Sequence, residues 1–167
     1  LSTQLGGLVL EGEGGVRKFE RASWYGGRGS GFKFGEGSEG LVGKRVDGSR
    51  LDQVFVAFGH MQAETFLDPK AAEAASKPRV TITMVPKDGG TSGVLAVGGE
   101  CPGKPELIVV LRKAPTFVGA CVPKSILAPL VRPASDFVDD GMVGAAVDEI
   151  TELTIERGDK VLEMARF

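Results

Sequence analysis

The sequence RVTITMVPKDGGTSGVLAVGGECPGKPELIVVLRKAPTFVGACV, residues 79–122, decides the fold of this chain. Apolar and polar residues alternate from Val80, and the apolar segments 94–97, 106–112 and 116–122 each follow a turn that contains Gly or Pro. A period of two is typical of β-strands, and short turns join antiparallel neighbours. The sequence therefore predicts four consecutive antiparallel strands, a β-meander.

Two helices are predicted on either side of this meander. The first begins near Asp47 or Ser49, and its apolar residues recur at helical spacing as one stripe: Leu51, Val54, Phe55, Phe58 and Met61. We expect Phe55 or Phe58 to be buried against the sheet. The second follows residue 123 and is kinked or ended by Pro129, and residues 69–78 form a polar helical turn or a loop. The fold class expected is α+β, an antiparallel meander with hairpins and two or three short helices packed on it.

Glycine is unusually frequent, with 25 residues concentrated before position 50 and again between 89 and 103. Because glycine loses more backbone entropy on folding than any other residue, such stretches favour turns and loops. The segment 26–45 is therefore predicted to be a flexible glycine-rich loop, with Phe32 and Phe34 as its anchors. A binding loop is the alternative interpretation.

The end of the chain repeats its beginning. Both segments have apolar residues around a glycine-bearing turn, and Ile150, Leu153, Ile155, Val161 and Met164 align without a gap on Leu5, Leu8, Leu10, Val16 and Phe19. We therefore predict a single α+β module over residues 1–148. Residues 149–167 would form a hairpin that begins the next repeat and docks on the same module. The chain opens without Met, so we expect it to be a piece of a longer protein.

Cys101 and Cys121 are the only cysteines. One lies in the turn before the strand 106–112 and the other at the end of the next strand, so the meander brings both to one edge. A disulfide there would indicate an oxidising compartment; two unlinked thiols are the alternative. The single histidine, His60, is expected on the solvated side of the first helix. The sequence predicts no catalytic residue, no cofactor and no metal site.

The charge pattern excludes some partners. The net charge is −2 with both signs interspersed, which gives no field that would recruit nucleic acid or anionic lipid. Trp24 and Tyr25 are adjacent rather than spread over a platform on which bases could stack. We therefore expect no nucleic-acid partner.

The order of the elements resembles a known family. It is carried by a hairpin ending in Trp24 and by five segments: VDGSRLDQV (46–54), VTITM (80–84), VLAVG (94–98), FVDDGM (137–142) and EITELTI (149–155). Together they resemble the domain-of-unknown-function family 4340, although the segment 26–40 is longer than the family pattern. The resemblance implies an extracytoplasmic module, often repeated or membrane-tethered. Some members are similar to auxiliary components of gliding-motility-associated ABC transport systems, and the family supplies no catalytic residue.

These observations favour one function over two others. We expect a non-enzymatic extracytoplasmic interaction or scaffold module, in a transporter- or envelope-associated assembly of a bacterium. Its partners would be proteins or further repeats of the same parent chain, which the family resemblance allows to be membrane-tethered. The first alternative is a domain that binds a small molecule or glycan, with the glycine-rich loop as a lid and Trp24, Tyr25 and His60 as the binding surface. The second is an enzyme whose catalytic groups come from other repeats.

Overall fold

The computed structural model of the chain describes residues 4–22, 29–141, 151–158 and 160–165. Its strands are β1 (Leu5–Gly12), β2 (Arg17–Arg21), β3 (Gly29–Phe34), β4 (Arg45–Asp47), β5 (Thr65–Leu67), β6 (Val80–Pro86), β7 (Gly93–Cys101), β8 (Lys104–Ala114), β9 (Val118–Pro123), β10 (Glu152–Arg157) and β11 (Lys160–Ala165). Its helices are α1 (Gly48–Gly59), α2 (Pro69–Ala75) and α3 (Leu127–Leu130), with 3₁₀ turns at Lys124–Ile126 and Ala134–Phe137.

Nine strands form one antiparallel sheet in the order β4-β3-β2-β1-β6-β7-β8-β9-β5. The strands β6 to β9 are the four that residues 79–122 predict, each paired with the next along the chain. The predicted α+β fold, an antiparallel meander with hairpins and short helices, is confirmed.

Both faces of the sheet carry a helix layer. Because successive strand residues point to opposite faces, Val110 packs toward α1 and α3 while Val109 and Leu111 pack toward α2. The larger core lies on the side of α1 and α3, and its fully buried members include Leu8, Leu10, Phe19, Phe34, Val46, Leu51, Val54, Ile82, Leu130 and Phe137.

Helix α1 packs on the sheet along a narrower line than the sequence indicates. The Asp47 side chain caps its first turn, and Leu51, Val54 and Ala57 are the buried residues. Phe55 and Phe58 are only partly buried, so the expectation that one of them is buried is wrong. Both pack at the edge of the core: their ring centroids are 6.1 Å apart, and the Phe55 ring lies 6.5 Å from that of Phe32 on β3.

The glycine-rich segment is not a flexible loop from residue 29 onward. It supplies β3, the turns of residues 35–44 and, at Arg45, the start of β4; β3 and β4 are the outer strands of one half of the sheet. Phe32 and Phe34 are buried, and the Phe34 ring lies 5.4 Å from that of Phe19. Burial of two aromatic rings outweighs the backbone entropy that glycine loses. The remaining part of the predicted loop, residues 26–28, lies outside the described residues.

The terminal hairpin forms as the sequence predicts, but β10 and β11 make a separate two-stranded sheet. Every described residue of both strands is exposed. Docking of this hairpin on the module is therefore not seen among the described residues, and what covers the hairpin stays a prediction. Residues 142–150, which contain the predicted module boundary, lie outside the described part of the chain.

Candidate functional site

Of the expected binding surface, the structure places His60 alone, since Trp24 and Tyr25 lie outside the described residues. His60 ends α1, and its backbone amide donates to the carbonyls of Val56 at 3.0 Å and Ala57 at 3.2 Å. Its imidazole is on the exposed side of the helix, as the sequence predicts.

His60 lies at the junction of two adjoining cavities that we call the α1–α3 groove. One has a volume of about 320 Å³ and is lined by Gln53, Val56, Ala57, His60, Ser125, Ile126, Pro129 and Arg132. The other has a volume of about 440 Å³ and is lined by His60, Gln62, Ala63, Glu64, Pro123 and Ser125. The first cavity therefore has an apolar floor, a polar rim and no acidic lining residue.

Arg132 is an unusual member of this lining. Its Nη1 atom is buried and has no hydrogen-bond partner in the described part of the molecule. None of the ion pairs among the described residues includes it. Buried polar groups are nearly always hydrogen-bonded, because an unpaired one loses its hydration without compensation.

A second arginine lies behind Arg132. Arg17, on β2, is fully buried, and its Nη1 donates to the carbonyls of Leu130 at 2.9 Å and Arg132 at 2.5 Å. Its Nη2 donates to the carbonyl of Glu13 at 2.9 Å. Burial lowers the pKa of Arg17 to about 10. The Arg17 side chain thus ties the sheet to the end of α3 and fixes the backbone that carries Arg132.

A larger cavity, of about 520 Å³, lies at the C-terminal end of α2 and includes Lys77, Arg79 and Lys124. The charge of Arg79 is already paired, because its Nε lies 2.6 Å from a carboxylate oxygen of Glu13. Lys77 and Lys124 are at the surface. This cavity therefore holds no buried charged group that lacks a partner among the described residues, and the α1–α3 groove is the better candidate for a binding site.

Cys101 and Cys121 form a disulfide with their Cα atoms 5.7 Å apart. This is the pairing that the meander leads us to expect. The disulfide joins the end of β7 to β9 across β8, and both cysteines are buried beside Leu107 on the face of the sheet that α2 covers.

The two hairpins of the chain have the same register. Leu153 faces Met164 across the terminal hairpin as Leu8 faces Phe19 across the opening one. Likewise Ile155 faces Leu162 in the position where Leu10 faces Arg17. The alignment made from apolar residues alone is thus also an alignment of strand pairs. That the terminal hairpin begins a further repeat stays a prediction.

The repeated positions differ in burial. Leu8 and Phe19 are 0% exposed, whereas Leu153 and Met164 are 46% and 44% exposed. Since side chains alternate across a strand pair, one face of the terminal hairpin carries four large apolar residues, which we call the apolar hairpin face: Leu153, Ile155, Leu162 and Met164. Its opposite face is mixed and carries Glu152, Thr154, Glu156, Val161, Glu163 and Ala165.

No family model, no curated protein and no solved structure matches the chain. The resemblance of its element order to family 4340 therefore stays a prediction. In the described ranges, no cluster of three or more His, Cys, Asp or Glu side chains could hold a metal ion. Among those residues, too, no helix is long and apolar enough to cross a bilayer.

Proposed function

We propose that this chain is a non-enzymatic interaction and scaffold module that assembles end to end with further modules of its own kind. The observation that carries the proposal is the terminal hairpin, which has the register of the opening hairpin and an apolar face that is open to solvent.

Energetics support a partner for this face. Fully burying one large apolar side chain stabilises a protein by about 1.5–3 kcal/mol. The four residues of the apolar hairpin face are about half exposed, so covering them would contribute about 3–6 kcal/mol. An isolated two-stranded hairpin is marginally stable in water. The hairpin therefore gains a large part of its stability from whatever covers it.

The opening hairpin indicates which surface would cover the terminal one. In this module β1 pairs with β6 and β2 pairs with β3, while the ring of Phe19 packs 5.4 Å from Phe34 and 5.3 Å from Phe137. The terminal hairpin would take the same place in a following module, with Met164 where Phe19 is. Leu162 would stand where Arg17 is buried, so the interface would carry four large apolar residues, with Arg157 and Lys160 on the same face at the turn end of the hairpin.

The disulfide supports an extracytoplasmic location, because such bonds persist in oxidising compartments. The resemblance to family 4340 favours the same location and suggests a transporter- or envelope-associated assembly with protein partners. A lid made from the glycine-rich segment is not favoured, because residues 29–47 contribute two strands to the main sheet.

A tandem chain would test the proposal. Residues 1–167 are joined directly to residues 23–141, so that the second module has no opening hairpin except the terminal hairpin of the first. We expect the second module to fold, and the backbone amides of Leu153 and Ile155 to become as protected from hydrogen exchange as those of Leu8 and Leu10. Stacked repeats stabilise one another in this way.

Matched substitutions complete the test. Leu153→Asp lies on the apolar hairpin face and should prevent folding of the second module, whereas Thr154→Asp lies on the opposite face and should not. The proposal is contradicted if the second module stays unfolded in the unsubstituted tandem chain, or if both substitutions have the same effect.

A further inference from the structure

The α1–α3 groove has the composition of a site for a small ligand with an apolar body. Val56, Ala57, Ile126 and Pro129 supply apolar surface, and Ser125 and Gln53 supply neutral polar groups at the rim. Small-molecule sites are typically concave and mostly apolar, with a few polar groups that fix orientation and a volume of roughly 300–1,000 Å³. The first cavity, at about 320 Å³, lies at the lower end of that range.

The charge of the groove is one-sided. Arg132 contributes a guanidinium, and none of the residues that line the first cavity is acidic. Glu64 lies in the adjoining cavity, beyond His60. An anionic group is therefore favoured at the Arg132 end and disfavoured at the Glu64 end, which gives the groove a direction.

The unpartnered nitrogen of Arg132 specifies the chemistry further. A guanidinium presents parallel N–H donors that match the two oxygens of a carboxylate, and such charge-assisted pairs are stronger than neutral hydrogen bonds. The buried Nη1 has no acceptor among the described residues. Because this buried nitrogen has no acceptor to lose, the guanidinium can turn it toward a ligand carboxylate without breaking a hydrogen bond of that atom, while the apolar part of the ligand covers the floor formed by α1 and α3.

We propose that the α1–α3 groove binds a small amphipathic carboxylate, with the anionic group on Arg132 and the apolar body along Val56 and Ile126. His60 and Ser125 line the mouth between the two cavities and are positioned to contact the ligand there. This site is independent of the terminal hairpin, so it goes beyond the scaffold function proposed above.

Octanoate is a suitable probe, and octanamide is its uncharged match. The full chain is titrated with each compound, and binding is followed by NMR shifts of backbone amides and by calorimetry. We expect octanoate to shift the amides of Val56, His60 and Arg132, and to bind at least tenfold more tightly than octanamide. A charge-assisted hydrogen bond corresponds to about a ten- to hundredfold difference in affinity.

Two arginine variants distinguish a specific contact with Arg132 from a general effect of the protein's net charge. Arg132→Met should weaken octanoate binding at least tenfold and leave octanamide binding unchanged within about twofold. Arg50→Met is the control, because it removes the same charge from an exposed position at the start of α1, and it should change neither affinity by more than twofold. The Arg132 backbone carbonyl that Arg17 uses is kept in Arg132→Met, so hydrogen exchange of β2 checks that the fold is intact.

Several results would overturn the proposal. One is the absence of amide shifts in the groove at millimolar octanoate. Others are equal affinities for octanoate and octanamide, or equal effects of the two arginine substitutions. Inorganic phosphate that binds the same amides as tightly as octanoate would show a simple anion site without a place for the apolar body.

Discussion

Reduction of the disulfide between Cys101 and Cys121 is expected to lower the free energy of unfolding by about 3 kcal/mol. The two cysteines are separated by 20 positions in the sequence. For a loop of that length, the loss of chain entropy in the unfolded state corresponds to about 3 kcal/mol at 25 °C. Most small domains have a total stability of about 5–15 kcal/mol, so the bond is a substantial fraction of it.

The assay is urea denaturation of the purified chain with and without a reductant. A double variant, Cys101→Ala with Cys121→Ala, is the matched control, because the reductant should leave its unfolding midpoint unchanged. Oxidised wild type should be the most stable form. The double variant should be less stable than the reduced wild type, since it also lacks two buried sulfur atoms.

Two results would refute this reasoning. Titration of the denatured, unreduced chain could find two free thiols, and then the disulfide and the oxidising compartment are both wrong. Alternatively, reduction could change the stability by less than about 0.5 kcal/mol, which would show that the bond does not constrain the unfolded chain.

Three further predictions concern the module itself. Phe137→Ala should lower the free energy of unfolding by about 3–5 kcal/mol because its ring is fully buried, whereas Phe66→Ala, at a residue 72% exposed, should change it by less than about 0.5 kcal/mol; similar losses in urea denaturation would contradict the described core. Burial tends to raise the pKa of Asp47, but hydrogen bonds from the first turn of α1 outweigh burial and lower it. Asp47→Ala should therefore lower stability by about 1 kcal/mol at neutral pH, and thermal unfolding should show this difference narrowing as the pH falls through the lowered pKa; a difference that is constant with pH would rule out the charged cap. Gly99→Ala should destabilise by more than about 1 kcal/mol because its φ is +87° and an added Cβ would collide with a backbone oxygen at the end of α2. Gly89→Ala, with φ +72° and open space around the added Cβ, should show the smaller cost of strain alone in the same denaturation assay.

The meander was predictable because residues 80–122 contain strand-length apolar segments separated by turns with Gly or Pro. Strand β8 is predicted from the nearly continuous apolar run around Val109 and Val110, and both faces at that point are indeed covered. Strands β3 and β4 were missed, since glycine content indicates a loop when each residue is considered alone. Their burial depends on contacts between Phe34 and Phe19, which are distant in the sequence and follow only from the pairing of β2 with β3.

The candidate site was predictable only in part. The sequence indicates that His60 is exposed on α1, but nothing in it shows that α3 forms the other wall of a groove there. Arg132 carries no sequence signal, because its significance is an unpartnered buried nitrogen that exists only in three dimensions. The alignment of the two hairpins, in contrast, was available from the sequence. Apolar spacing alone aligned Leu153 with Leu8, and the strand pairing of the two hairpins agrees with that alignment.

The position of β1 has a consequence for how the chain is made. β1 lies in the interior of the sheet, between β2 and β6, although it comes first along the chain. During synthesis the opening hairpin emerges long before β6 (Val80–Pro86) can pair with it, and contacts distant in sequence form slowly. Until then Leu8 and Leu10 are uncovered, and the nascent opening hairpin shares the exposure that the terminal hairpin retains in the folded chain. Chaperone binding to the nascent chain should therefore concentrate on this first hairpin until the meander has left the ribosome.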